Sequence, residues 1–173
     1  MRPQLIIAGA SLAAVMLMML AEWQLARFNE RVLRHRGAVG PEDEVYRTMA
    51  WAYPTAFVAM AVEGALLGPP PGRATLAGAA IFGLAKVLKF WAIASLGTRW
   101  TFRVLVLPEV PLVSRGPYAW LRHPNYVAVL GELGGAALLM GARMTGIAGL
   151  IGFALLLRRR IAVEERALGI RRK

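Results

Sequence analysis

The sequence predicts an all-α, polytopic membrane protein of about five transmembrane helices. Three observations predict it. The 173-residue chain is 57% hydrophobic, with a mean hydropathy of +0.50, more apolar than a soluble domain of this size. Its apolar residues gather in five runs. Its net charge of +11 sits mainly on Lys and Arg at the ends of those runs, the placement that membrane topology imposes. That placement argues against a nucleic-acid partner. Cysteine is absent, which excludes a disulfide framework, a Cys-ligated metal and a thiol nucleophile. No His, Asp or Glu spacing marks a metal site.

The runs lie near 4–24, 49–67, 74–97, 124–140 and 145–157. Crossing the hydrocarbon core takes roughly 20 residues of helix, and the first three meet that length. After Met1, Arg2 and Pro3 the first run continues to about Ala21, longer than a signal-peptide core, and no small-residue cleavage site follows. It is read as a retained span. Pro69 to Gly72 makes a tight turn between the second and third spans. The last two runs are short and share a turn at Gly141 to Met144, so they read as a helical hairpin.

Orientation follows from the cations. Arg2, Arg73 and Arg143 fall on one side. The other side holds sixteen: five between Arg27 and Arg47, four between Arg99 and Arg122, and seven from Arg158 to Lys173. The N-terminus is therefore expected outside and the C-terminus in the cytosol. Lys86 and Lys89 lie inside the third span. The first cytosolic loop mixes signs through Glu30, Glu42, Asp43 and Glu44 and reads as an amphipathic surface segment. His35 within it is expected to be solvated. The loop over 98–123 is dense in aromatic, proline and basic residues, too patterned for a linker.

Two segments carry chemistry. One runs from Arg115 to Tyr126 and reads RGPYAWLRHPNY. Gly116-Pro117 marks a turn, and Pro124 suits the first turn of a helix, whose free N–H groups attract anions. An interfacial aromatic belt with a capping His123 accounts for the same residues. The other runs from Arg158 to Arg166 and reads RRRIAVEER, where Glu164 and Glu165 interrupt a basic tail. A stop-transfer cluster followed by a solvated helix accounts for its arginines.

The two segments in this order, joined by a helical hairpin and followed by Ala167-Leu168-Gly169, resemble the C-terminal half of isoprenylcysteine carboxyl methyltransferases and their bacterial relatives. Phospholipid methyltransferases share a looser form. The resemblance covers roughly Leu96 to Gly169; the first three spans match only in being apolar. It implies S-adenosylmethionine bound by the loop, the last two helices and the tail, with no Rossmann fold, and no Gly-x-Gly-x-x-Gly motif occurs. It also implies a lipid-like acceptor and a bacterial inner membrane. The chain is shorter than the eukaryotic enzymes. Its Val104 to Glu109 stretch is similar to bacterial members, some of which methylate alkylpyrone hydroxyls. The expected division is residues 1–97 as three helices with a charged loop and residues 98–173 as the catalytic region.

On this resemblance Glu164 or Glu165 is expected to accept the ribose hydroxyls or the amine of the cofactor. His123 and the N–H groups around Asn125 hold its carboxylate, while Tyr118 and Tyr126 pack on adenine or face the sulfonium. Arg122 and Arg160 complete the cofactor set. An acceptor carboxylate is ionised at neutral pH and needs orientation, for which Arg99 or Arg103 offers a bidentate partner and Arg122 is a rival; contact with lipid phosphate is the plainer role of each. Glu132 shares a face with Asn125, two turns away. It lines the acceptor's path, serves as a base for a hydroxyl acceptor, or pairs with Lys89 or Lys86. Glu63 is expected to find a structural partner or stand at a tunnel mouth. Gly131 and Gly135 form a small-xxx-small face for helix packing. Two other readings compete: an NADPH-dependent membrane reductase of the sterol-reductase kind, and a non-catalytic scaffold or small transporter.

Overall fold

The computed structural model describes residues 3–41, 44–68, 70, 72–108 and 110–169. Met1, Arg2, Glu42, Asp43, Pro69, Pro71, Glu109, Arg171, Arg172 and Lys173, which enter the sequence argument, lie outside them. The chain is all-helical: α1 (Pro3–His35), α2 (Glu44–Leu67), α3 (Gly72–Leu96), α4 (Pro124–Met140) and α5 (Arg143–Ala167). Short 3-10 turns occupy Gly97–Arg99 and Gly116–Ala119. Among the described residues the β pairing is a single isolated bridge, Val39 to Val106.

Three helical stretches are long and apolar enough to cross a membrane, Ala8–His35, Val45–Leu67 and Gly72–Arg99. Leu17, Leu66, Leu76 and Leu84 on them face outward, an apolar surface that suits lipid and would be a liability in water. With the family shown below, this makes the chain an integral membrane protein. α4 and α5 supply the centre. α4 touches all four other helices, and Leu133 and Met140 pack with Phe57 and Met60 of α2, Val15 of α1, and Phe153 and Leu157 of α5.

Local sequence sets the ends of the α4–α5 hairpin. Pro124 opens α4, where its missing N–H leaves no bond unmade. Gly141 closes it at φ 72°, its N–H returning to the Ala137 and Leu138 carbonyls, a left-handed cap that glycine adopts without strain. α5 begins two residues later, and Glu63 of α2 caps it. The Glu63 carboxylate accepts from the N–H groups of Met144 at 2.9 Å and Thr145 at 2.7 Å, and from the Thr145 hydroxyl at 2.5 Å. Those amides have no partner inside the helix, so Glu63 is structural.

Two boundaries differ most from the sequence reading. α1 continues to His35, so the first part of the expected loop is helix. Its charged end holds a Glu30–Arg34 pair at the i,i+4 spacing that supports a helix. α5 likewise runs unbroken to Ala167, so the basic tail is its last turns.

The loops sort to two ends. Val39 and Val106 exchange N–H···O bonds of 3.0 and 2.8 Å, and Asn29 donates to the Trp100 carbonyl at 2.8 Å. The α1–α2 and α3–α4 connections therefore share one end, together with the last turns of α5. At the opposite end Gly141 lies against Pro70.

Candidate functional site

Where α4 starts and α5 ends, the two chemistry-bearing segments meet. Continuity of α5 puts Glu164 one turn beyond Arg160, on the same face, with Glu165 next to it. Pro124 turns the chain so that His123 and Tyr126 face them. His123 Nε2 lies 3.4 Å from Glu165 Oε1, and His123 Nδ1 lies 3.7 Å from Glu164 Oε2. Tyr126 donates to Glu164 at 2.5 Å. The His123 and Tyr126 rings stack, with centroids 5.4 Å apart and planes 16° apart. Glu165 is buried.

Arg160 ties this group to the α3–α4 loop. It donates to the Tyr126 oxygen at 3.4 Å and to the Phe102 carbonyl at 2.5 Å. Asn125 accepts from the Trp100 indole at 3.4 Å. Tyr118 is half-buried; burial, and next the negative Glu164, raise its hydroxyl pKa above the ordinary 10.0, so it stays a neutral donor. Gly116 sits at φ 61° against Ser95, where a side chain would collide, and Arg115 donates to the Ser95 carbonyl at 3.2 Å. The Gly-Pro-Tyr turn is thus pinned to the end of α3. Arg122 is exposed beside this turn.

The other expected site residues lie elsewhere. Arg99 donates to the Pro111 carbonyl at 2.7 Å and, with Arg36, Leu107 and Val110, lines a cavity of about 480 Å³. Arg103 approaches Glu30 at 3.5 Å and lines a different cavity, of about 350 Å³. Glu132 is buried within the helices. Lys86 and Lys89 lie 3.3 and 3.0 Å from it, and each also meets Glu22 at 2.8 Å. The Tyr53 hydroxyl donates to Glu132 as well. Two carboxylates and two ammoniums thus neutralise one another in the core, the condition under which buried charges persist. Sequence reasoning weighed the pairing of Glu132 with Lys89 or Lys86, where the structure brings both, and missed Glu22 and Tyr53. An acid inside the first apolar run was the signal for Glu22.

Among the described residues no group of three or more His, Asp or Glu side chains could hold a metal ion.

Comparison with known proteins identifies the chain. The model of the isoprenylcysteine carboxyl methyltransferase family matches residues 77–170, which brings most of α3 into the resemblance. The chain is 34% identical over 148 residues to an uncharacterized protein of Bacillus subtilis, YpbQ, covering 86% of this chain and 88% of that one. It is 35% identical over 92 residues to an uncharacterized protein of Haemophilus influenzae, covering 53% of this chain and 54% of the other. No solved structure matches it. The chain belongs to the isoprenylcysteine carboxyl methyltransferase family, and that membership implies a membrane methyltransferase.

Proposed function

We propose that the protein is an S-adenosylmethionine-dependent O-methyltransferase acting at the membrane surface on a lipid-borne acceptor, a prenylcysteine-type carboxylate or an alkylpyrone-type hydroxyl. The carrying observation is the cluster of His123, Tyr126, Arg160, Glu164 and Glu165 in a chain of this family. Residues 98–173 are the catalytic region and residues 1–97 its membrane scaffold. All five helices span or enter the bilayer, with the N-terminus outside. The cluster faces the cytosol, where a soluble cofactor meets an acceptor held in lipid.

The donor set fits the cofactor. Two adjacent carboxylates suit a ribose diol and an ammonium group. The N–H groups at the start of α4, with Arg122 and His123, suit a carboxylate. Stacked His123 and Tyr126 with half-buried Tyr118 offer aromatic faces to adenine. When bound, the cofactor supplies a methyl group on a positively charged sulfur. The chain's own part is positioning, the largest contribution such a transfer needs. Arg160 holds Tyr126 and the Phe102 carbonyl in register, and Trp100 fixes Asn125. Glu164 and Glu165, which meet Tyr126 and His123 here, would hold the hydroxyls or amine of the cofactor. A carboxylate acceptor is already ionised, so it needs orientation and no general base. Glu132 is assigned to holding the helices together rather than to proton transfer.

Isothermal titration of S-adenosylmethionine into the purified protein tests this reading. Glu165→Ala removes charge-assisted hydrogen bonds of about 1.5–3 kcal/mol each, so affinity falls at least roughly tenfold. Unchanged affinity sinks the assignment, as does thermal stabilisation by NADPH without stabilisation by S-adenosylmethionine. Labelled-methyl transfer into a total lipid extract, followed by mass spectrometry, identifies the acceptor.

A further inference from the structure

The cavity that holds Arg103 is separate from the cofactor cluster, and its chemistry points to a different ligand. It lies at the charged end of α1. Trp23, Arg27, Arg31 and Arg34 fall at positions i, i+4, i+8 and i+11, one face of that helix. Tyr46 from the start of α2 and Arg103 from the α3–α4 loop close the cavity, so three separate chain segments build it.

Its electrostatics are one-sided. Among the described residues four guanidiniums line it and one carboxylate, Glu30, faces them. Glu30 is shared between Arg34 at 2.9 Å and Arg103 at 3.5 Å. Arg27 lies 4.9 Å over the Trp23 ring and Arg103 lies 4.7 Å over the Tyr46 ring, so two guanidiniums are held in place by aromatic faces. Arg31 has no acidic partner among the described residues. The described lining therefore carries a surplus of about three positive charges on side chains whose planar donors match phosphate oxygens.

Its level in the bilayer follows from helix length. α1 has 33 residues, about 50 Å at the α-helical rise, against a hydrocarbon core of about 30 Å. Trp23, of the interfacial residue type, is 40% exposed and faces this cavity. The cavity thus sits at headgroup depth, where an anionic phosphate borne by lipid is the abundant partner.

We infer that this cavity is a binding site for the phosphate of an anionic phospholipid headgroup. It differs from the general attraction of basic loops to a membrane in being concave, aromatic-walled and built from pre-oriented arginines. Binding there also reaches the cofactor cluster. Arg103 follows Phe102, whose carbonyl receives Arg160, and Thr101 donates to the Arg103 carbonyl at 2.6 Å. A lipid seated on Arg103 steadies the backbone that holds Arg160.

The test is thermal unfolding of the full chain in neutral detergent, with dioleoyl phosphatidylglycerol, dioleoyl phosphatidylcholine or inorganic phosphate added. None of these arms depends on methyl transfer, so failure here is distinguishable from failure of the proposed function. Phosphatidylglycerol is expected to raise the midpoint by several degrees over phosphatidylcholine. The Arg27→Gln/Arg31→Gln double variant is expected to lose most of that shift, while Arg159→Gln, an exposed cation on α5, keeps it. The lysine pair Arg27→Lys/Arg31→Lys should retain only part, since charge survives but the planar fork does not. No preference for phosphatidylglycerol, or a full shift in the Gln double variant, overturns the proposal. So does an equal loss in Arg159→Gln, which marks diffuse attraction. An equal shift with inorganic phosphate overturns the lipid as the source and leaves an anion site for a soluble ligand. Native mass spectrometry of the wild type needs no variant: preferential retention of phosphatidylglycerol supports the site, and equal retention of both lipids overturns it.

Discussion

A carboxylate buried among apolar helices is costly unless cations meet it, and Glu132 meets two. Its neighbours Lys86, Lys89 and Tyr53 come from α3 and α2, and Glu22 from α1 balances the second ammonium. Removing one charge leaves the others uncompensated, so Glu132→Gln should destabilise the fold by about 3–5 kcal/mol, read as a lowered midpoint of thermal unfolding in detergent. If Lys89→Gln is added, the loss should be less than the sum of the two single losses, because the two residues are direct partners. An additive result would contradict the network. Of this group, the sequence exposed Glu132, Lys86 and Lys89 as anomalies inside apolar runs, and it left their pairing open. Glu22 lay near the charged end of its run and drew no notice. Which acids meet which bases depends on helix rotation, a property that the local pattern does not encode.

At the scale of elements, α3 and α4 approach most closely, and glycine explains why. A Cβ on Gly131 would sit 2.9 Å from the Ala85 Cβ, and one on Gly135 would sit 2.6 Å from the Phe82 backbone nitrogen. The small-residue face read from sequence is this contact. Gly135→Leu should therefore force α3 away from α4 at a cost of about 1–3 kcal/mol or more. Because α3 also carries the two lysines and the Ser95 anchor of the Gly-Pro-Tyr turn, affinity for S-adenosylmethionine should fall as well. A Gly135→Leu protein with wild-type midpoint and affinity would refute the close packing. Helix α4 was legible to the residue, since Pro124 and Gly141 are strong terminators. The last turns of α5 were not. Arg158 to Arg160 after an apolar run read as a stop-transfer cluster with a solvated helix beyond it, whereas the structure makes run, cluster and tail one unbroken helix to Ala167. That continuation brings Glu164 and Glu165 to His123, so the candidate site was visible through family resemblance rather than through local pattern.

For the molecule as a whole, the five-helix, all-α architecture was legible because the lengths of the apolar runs report it directly. The single bridge between Val39 and Val106 was not, since it joins residues 67 positions apart without a strand pattern around them. The proposed orientation has a direct measurement. Green fluorescent protein fused to the C-terminus should fluoresce in bacterial cells, and alkaline phosphatase fused there should be inactive. The opposite pair of results would reverse the sidedness and move the cofactor cluster away from its proposed supply. The core ion network has a further consequence, for the order of synthesis. Glu22 emerges from the ribosome on α1, while its cations follow more than sixty residues later on α3. Until α3 arrives, the first helix carries an acid without its native partner, so the pairing of Glu22 is completed only when the third helix joins the first.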